Sequence, residues 1–242
     1  MDELRDNRYD LDIAEPVTTP VAEPPPPPLK YYDIIYGVLF EPVPTMKRVA
    51  QQPPLAATLV IVIAMTLIGL LTSLYTSAHG GPANLGLEMG LPLAKAKRFS
   101  EALRAAAPML AILGALFFFV KWFFYSALLH LLADFYGGKG NARTVFVVYG
   151  LSCLPTVFLI PLEVLTTIFL PSLATLTTTL ASLIVFVWGF ILLTIGIREA
   201  HLLSTGRTVA VILTPVAVVV LLFILTVVGL VSTLSAFMPV GW

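Results

Sequence analysis

Residues 164–197 carry no charged side chain. As a single helix this stretch would run about 50 Å at 1.5 Å per residue, well beyond the roughly 30 Å of a hydrocarbon core. It therefore holds parts of two membrane spans, divided where Pro171 and Ser172 interrupt the run. Only 12% of the chain is charged and 58% is hydrophobic, whereas a soluble domain is about a quarter charged. The chain reads as an integral membrane protein. Its 14 basic and 14 acidic residues balance, and no dense basic cluster points to nucleic acid.

The same reasoning along the chain gives five spans, at about 55–75, 108–133, 144–170, 173–197 and 208–233. The expected fold class is all-α, a polytopic bundle of five transmembrane helices preceded by interfacial helices. Residues 1–30 form an acidic tail ending in a run of prolines, Pro24 to Pro28. Like charge and few apolar groups leave it without a core, and the prolines make a stiff spacer. A plain tether is preferred to a ligand for an aromatic groove. In residues 31–54, Tyr31, Ile34, Ile35, Val38 and Leu39 recur at helical spacing, too briefly to cross a bilayer. Pro42, Pro44, Pro53 and Pro54 punctuate the segment. It should form interfacial helices on the membrane or on the bundle. The membrane domain covers 55–235, and 236–242 is a short tail. Within the loop after the first span, 94–107 contains no helix breaker and should lead as a charged helix into the second span.

The first apolar run begins too late for a cleavable signal peptide, so it should remain as an anchor. Arg5, Arg8, Lys30, Lys47, Arg48, Lys139, Arg143, Arg198 and Arg207 fall on the side of the N-terminus. Lys95, Lys97, Arg98 and Arg104 fall opposite. The bias puts the N-terminus in the cytoplasm and the C-terminus outside a cell membrane. A short echo, "ARTVFVV" against "GRTVAVI", hints that spans two–three and four–five repeat.

Motifs for chemistry mostly fail on spacing. "FYGGKGNART" lacks the six-residue glycine interval of a phosphate loop, and Gly140 follows Lys139. Its glycines can end one helix, Asn141 can cap the next, and Lys139 and Arg143 can hold the headgroups. Ser152 lacks the glycine two places on that a nucleophile elbow needs, and should bond its own helix backbone. Cys153 reads as a small buried hydrophobe. His130 and Asp134 share a helix face, and Glu199 and His201 end the fourth span at the same level. Two histidines and two carboxylates could ligate a divalent cation, yet no spacing enforces convergence, and solvated or capping roles are the ordinary ones. No metal and no cofactor is expected. Lys121 and Glu163 interrupt consecutive spans at about 20 Å and 28 Å from their shared loop. Such groups are expensive in lipid unless paired or wet. A buried ion pair is preferred to a proton or substrate relay.

"YYDIIYGVLFEPVPTMKRVAQQPP" resembles the opening of bacterial-type Yip family membrane domains. "ALLHLLADFYGGKGNARTVFVVYGLSCLP" and "WGFILLTIGIREAHLLSTGRTVAVIL" resemble that family's two later hairpins. The resemblance covers about residues 31–235 and implies five spans with the N-terminus inside. Eukaryotic members are trafficking adaptors that bind prenylated Rab-type GTPases, but their D-L-Y-G-P motif is missing from the second span here, so that binding is not carried over. The expectation is a non-enzymatic membrane scaffold or adaptor. Its contacts would be the bilayer and either a membrane-protein partner or further copies of itself. Candidate contact residues are His130, Asp134, Lys139, Arg143, Arg198, Glu199, His201 and Arg207. The alternative is a small transporter component using Lys121 and Glu163. An intramembrane enzyme is disfavoured by the missing motifs.

Overall fold

Apolar runs punctuated by proline and glycine become helices with few residues left between them. The computed structural model describes residues 29–79, 89–170 and 172–237. The tail through residue 28, residues 80–88 of the long loop, Pro171 of the expected turn and the end from 238 lie outside them. The described helices are α1 (Tyr31–Phe40), α2 (Pro42–Gln51), α3 (Leu55–His79), α4 (Leu93–Phe135), α5 (Ala142–Ser152), α6 (Leu159–Phe169), α7 (Ala174–His201) and α8 (Thr205–Phe237). A 3-10 turn, Leu154–Phe158, joins α5 to α6. Five helical segments are long and apolar enough to cross a membrane: α3, α4, the joined α5–α6, α7 and α8.

The charged loop helix and the second span are one continuous helix. At 43 residues, α4 runs about 65 Å, twice the hydrocarbon core. Its first turns, with Lys95, Lys97, Arg98, Glu101 and Arg104, therefore lie beyond the apolar zone. The third span breaks at Pro155, which has no N–H to give. Nearby hydroxyls return to the backbone: Ser152 donates to the Val148 carbonyl at 2.8 Å and Thr156 to the Cys153 carbonyl at 2.7 Å.

The two short helices join the bundle. Ile34 and Val38 of α1, with Met46 and Val49 of α2, are fully buried. Tyr32, Tyr36 and Phe40, one turn apart, face outward. Gly37 permits the tight corner, because a Cβ there would overlap the Thr45 hydroxyl. α2 packs on α7 and α5. At the centre Trp122 of α4 is buried, stacks on Phe146 of α5 at 4.2 Å, and donates its indole N–H to the Phe146 carbonyl at 3.0 Å. Trp188 of α7 stacks on Phe158 of the same span at 5.7 Å. Trp122 of the second span and Trp188 of the fourth thus each meet a third-span phenylalanine. The hairpins differ beyond that: residues 216–234 of α8 are exposed throughout, leaving that half of the helix outside the packed core.

Candidate functional site

α4 ends on Gly137, whose φ of +87° suits glycine. Gly138 N–H donates to the Ala133 carbonyl at 2.8 Å and Gly137 N–H to the Asp134 carbonyl at 2.9 Å. This six-to-one and five-to-two pairing is a Schellman ending. Asn141 then caps α5, its Oδ1 accepting from the Thr144 N–H at 2.8 Å and the Thr144 hydroxyl at 2.9 Å. The loop between is moulded onto His201, the last residue of α7. Lys139 N–H donates to the His201 carbonyl at 3.1 Å, and Gly140 N–H donates to His201 Nδ1 at 3.1 Å. A Cβ on Gly138 would lie 2.5 Å from His201 Nδ1, and one on Gly140 2.5 Å from the Ala200 carbonyl. The Gly-Gly-Lys-Gly run is glycine-rich because a buried imidazole sits against it.

His201 is 1% exposed. Its Nε2 lies 3.4 Å from His130 Nδ1. Asp134 reaches both rings, with Oδ2 3.6 Å from His130 Nε2 and Oδ1 3.5 Å from His201 Nδ1. The donors fix the tautomers. Because His201 Nδ1 accepts from Gly140, its Nε2 carries the hydrogen and points at His130 Nδ1. His130 Nε2 then carries its own hydrogen and faces the carboxylate. Two neutral rings pass one hydrogen-bond direction from loop backbone to Asp134.

Of the four residues named for a cation, His130, Asp134 and His201 converge, with one ligand atom from each within 4.8 Å of the others. Glu199 does not join them; it holds the Arg198 guanidinium at 2.7 Å and 3.2 Å. A cation on His201 Nε2 would require the proton on Nδ1, where Gly140 N–H already points. Metal and loop therefore compete for one imidazole.

Lys139, Arg143 and Arg207 are exposed around this buried group. Arg207 Nη1 lies 3.8 Å from where a Gly137 Cβ would stand, so it borders the loop. Tyr136 OH and Thr214 Oγ1, 3.1 Å apart, tie the end of α4 to α8. Neither that contact nor the Gly140–His201 bond has a sequence signal beyond the glycine spacing.

Lys121 and Glu163 are not brought together. The 3-10 turn lengthens the third span, so Glu163 stands about 34 Å from Ala142 and Lys121 about 21 Å from Phe135. Glu163 Oε1 accepts from the Thr76 hydroxyl at 3.1 Å, and Thr76 is itself about 32 Å along α3. Lys121 is exposed, with Nζ 5.6 Å from the Phe118 ring centre. Phe118 lies one turn towards the end of the bundle where Glu163 sits, the direction in which a lysine snorkels to polar surroundings.

A five-span helical membrane protein with two short helices keyed into its bundle is the class these features define. The sequence matches the Yip1 domain family over residues 36–228, from within α1 to within α8, and the chain belongs to that family. No curated protein and no solved structure matches it.

Proposed function

We propose that the protein is a non-enzymatic scaffold or adaptor of a cell membrane, N-terminus cytoplasmic, that docks partners on the loop end around His201. The observation that carries this reading is a division of labour among polar groups. His130, His201, Asn141 and the loop amides spend their hydrogen-bonding atoms on holding the loop's shape. Lys139, Arg143 and Arg207 stand outside that network, exposed, on a backbone held in one form. Cations on a rigid mount suit an acidic partner surface beside anionic headgroups. The exposed aromatic stripe of α1, Tyr32, Tyr36 and Phe40, suits the headgroup zone and would fix the bundle's depth.

The test places a photo-crosslinking residue at Arg143 and irradiates native membranes. A heterologous protein captured reproducibly, and lost in Lys139→Gln/Arg207→Gln, is the expected result. Capture of the chain alone would replace the adaptor with a homo-oligomer. Proton flux in proteoliposomes, abolished by Glu163→Gln with folding intact, would overturn the scaffold in favour of a transporter component.

A further inference from the structure

His130 Nδ1 and His201 Nε2 stand 3.4 Å apart. An N–H donor usually brings its acceptor to about 2.7–3.2 Å, so the two rings are slack as a hydrogen-bonded pair. Their spacing is that of two ligands on one metal ion. Nitrogens about 2.0–2.1 Å from a tetrahedral zinc stand about 3.3 Å from each other. One ring comes from α4 and the other from the last residue of α7. From the sequence no metal is expected, because no spacing enforces convergence; the fold supplies that convergence.

Each ring has one nitrogen left over. His201 Nδ1 lies 3.5 Å from Asp134 Oδ1, and His130 Nε2 lies 3.6 Å from Asp134 Oδ2. With an ion on the inner nitrogens, both outer nitrogens carry hydrogen, and one carboxylate faces them both. Metal-bound imidazoles are almost always oriented by an acceptor on that far side, which also raises their basicity. Asp134 sets one negative charge against the ion's two positive charges. The exposed Lys139 and Arg207 oppose the ion from the loop rim, and Glu199 is held by Arg198.

Binding moves the hydrogen of His201 from Nε2 to Nδ1, and neither ring gains or loses a proton. The cost is the Gly140 bond, because that N–H then faces another N–H. The loop does not rest on this bond alone. Lys139 N–H stays on the His201 carbonyl, Gly137 and Gly138 stay on the end of α4, and Asn141 stays on Thr144. One hydrogen bond is exchanged for two metal–nitrogen bonds beneath a loop that keeps its course. The way in lies beside Asp134, whose side chain is 48% exposed and that of His130 20%. Water on that side completes the coordination. A pair of imidazoles selects zinc and its first-row neighbours over magnesium or calcium.

We propose that His130 and His201, backed by Asp134, bind one Zn2+ ion that staples the second span to the fourth at the loop end of the bundle. The site stands on this geometry whatever docks on the loop, and its test reads metal binding alone.

The full chain is purified in detergent through a tag without histidine, stripped with EDTA and titrated calorimetrically with Zn2+ alone. One ion per chain should bind saturably and raise the melting temperature, since only the folded chain holds the site. His130→Gln and, independently, His201→Gln should abolish both effects. Asp134→Asn should weaken binding about 10–100-fold, the usual loss when the outer partner of a metal-bound histidine is removed. His79→Gln, at the end of α3, should bind as the wild type does. The His130 variant, on a part-exposed ring, keeps the test readable where the buried His201 variant fails to fold. Absence of saturable binding would overturn the site, as would binding that survives His130→Gln or is lost in His79→Gln. Unchanged affinity in Asp134→Asn would overturn the part given to the carboxylate.

Discussion

Gly196→Ala probes how the N-terminal helices join the spans. A Cβ built at Gly196 overlaps Val148 Cγ1 and comes within 3.3 Å of Met46 Sδ. Three elements meet at that point, α7, α5 and α2. Val148 and Met46 are both fully buried. A helical valine keeps one χ1 well about 90% of the time, so its methyl does not swing aside. Overpacking costs about 1–3 kcal/mol, and so rigid an obstacle belongs at the upper end. Replacing a helical glycine by alanine returns about 1 kcal/mol through helix propensity. The expected net loss is about 2 kcal/mol. It is measured by reversible unfolding of the purified chain from mixed micelles with increasing SDS. Val148→Ala removes the obstructing methyls, so the double variant should be more stable than the sum of the singles by ~1 kcal/mol, within the range for residues in contact. A Gly196→Ala chain within ~0.5 kcal/mol of wild type, or a strictly additive double variant, would refute the three-way junction.

Gly69 and Gly114 have open space where a Cβ would stand; each to alanine should gain up to ~1 kcal/mol in the same unfolding assay. Loss instead would mean that something packs on the groove between α3 and α4. Leu202 holds a left-handed conformation, φ 56°, with its side chain exposed, so Leu202→Gly should gain ~0.5–1 kcal/mol by detergent melting. Asn141→Ala should lose about 1 kcal/mol, the usual value of an N-cap. Lys121→Met and Glu163→Gln should be additive within ~0.5 kcal/mol, since each has its own partner; a larger coupling would restore the ion pair.

The spans were legible because lipid leaves helices little choice. An apolar run of bilayer length must bond its backbone internally, and the expected spans agree with the helices to within about four residues, except that the second spanning helix begins at Leu93, well before 108. Three features were less legible. The loop helix and second span proved continuous, because Pro108 sits inside α4 without ending it. The short N-terminal helices could have rested on lipid or on protein, and their periodicity is the same in both cases. Gly37 and Gly196, which decide for protein, look like ordinary helix glycines until the partner side chains are known. Glu163 lies farther along its span than about 28 Å for two reasons: the helix starts at Ala142, two residues before the expected span, and the five 3-10 residues each rise about 0.5 Å more than α-helical ones.

The loop end shows the same limit from the other direction. Glycine at 137 and asparagine at 141 announced a helix stop and a helix start, and both occur as local backbone chemistry requires. What stayed hidden was why two further glycines were needed between them. Gly138 and Gly140 are shaped by His201, which lies in another hairpin, and no spacing within one hairpin encodes contact with a second. The histidines and Asp134 were visible as titratable groups at one level, but level alone left convergence open. Convergence follows from packing: α4 and α7 meet across α5, and His201, at the very end of α7, is covered by the loop that closes α4. That burial turns three ordinary boundary residues into a coupled set, in which each hydrogen-bonding atom constrains the next. Gly140 N–H donates to His201 Nδ1, Lys139 N–H donates to the His201 carbonyl and Asn141 caps the next helix, so the shape of the glycine loop is set from both hairpins at once.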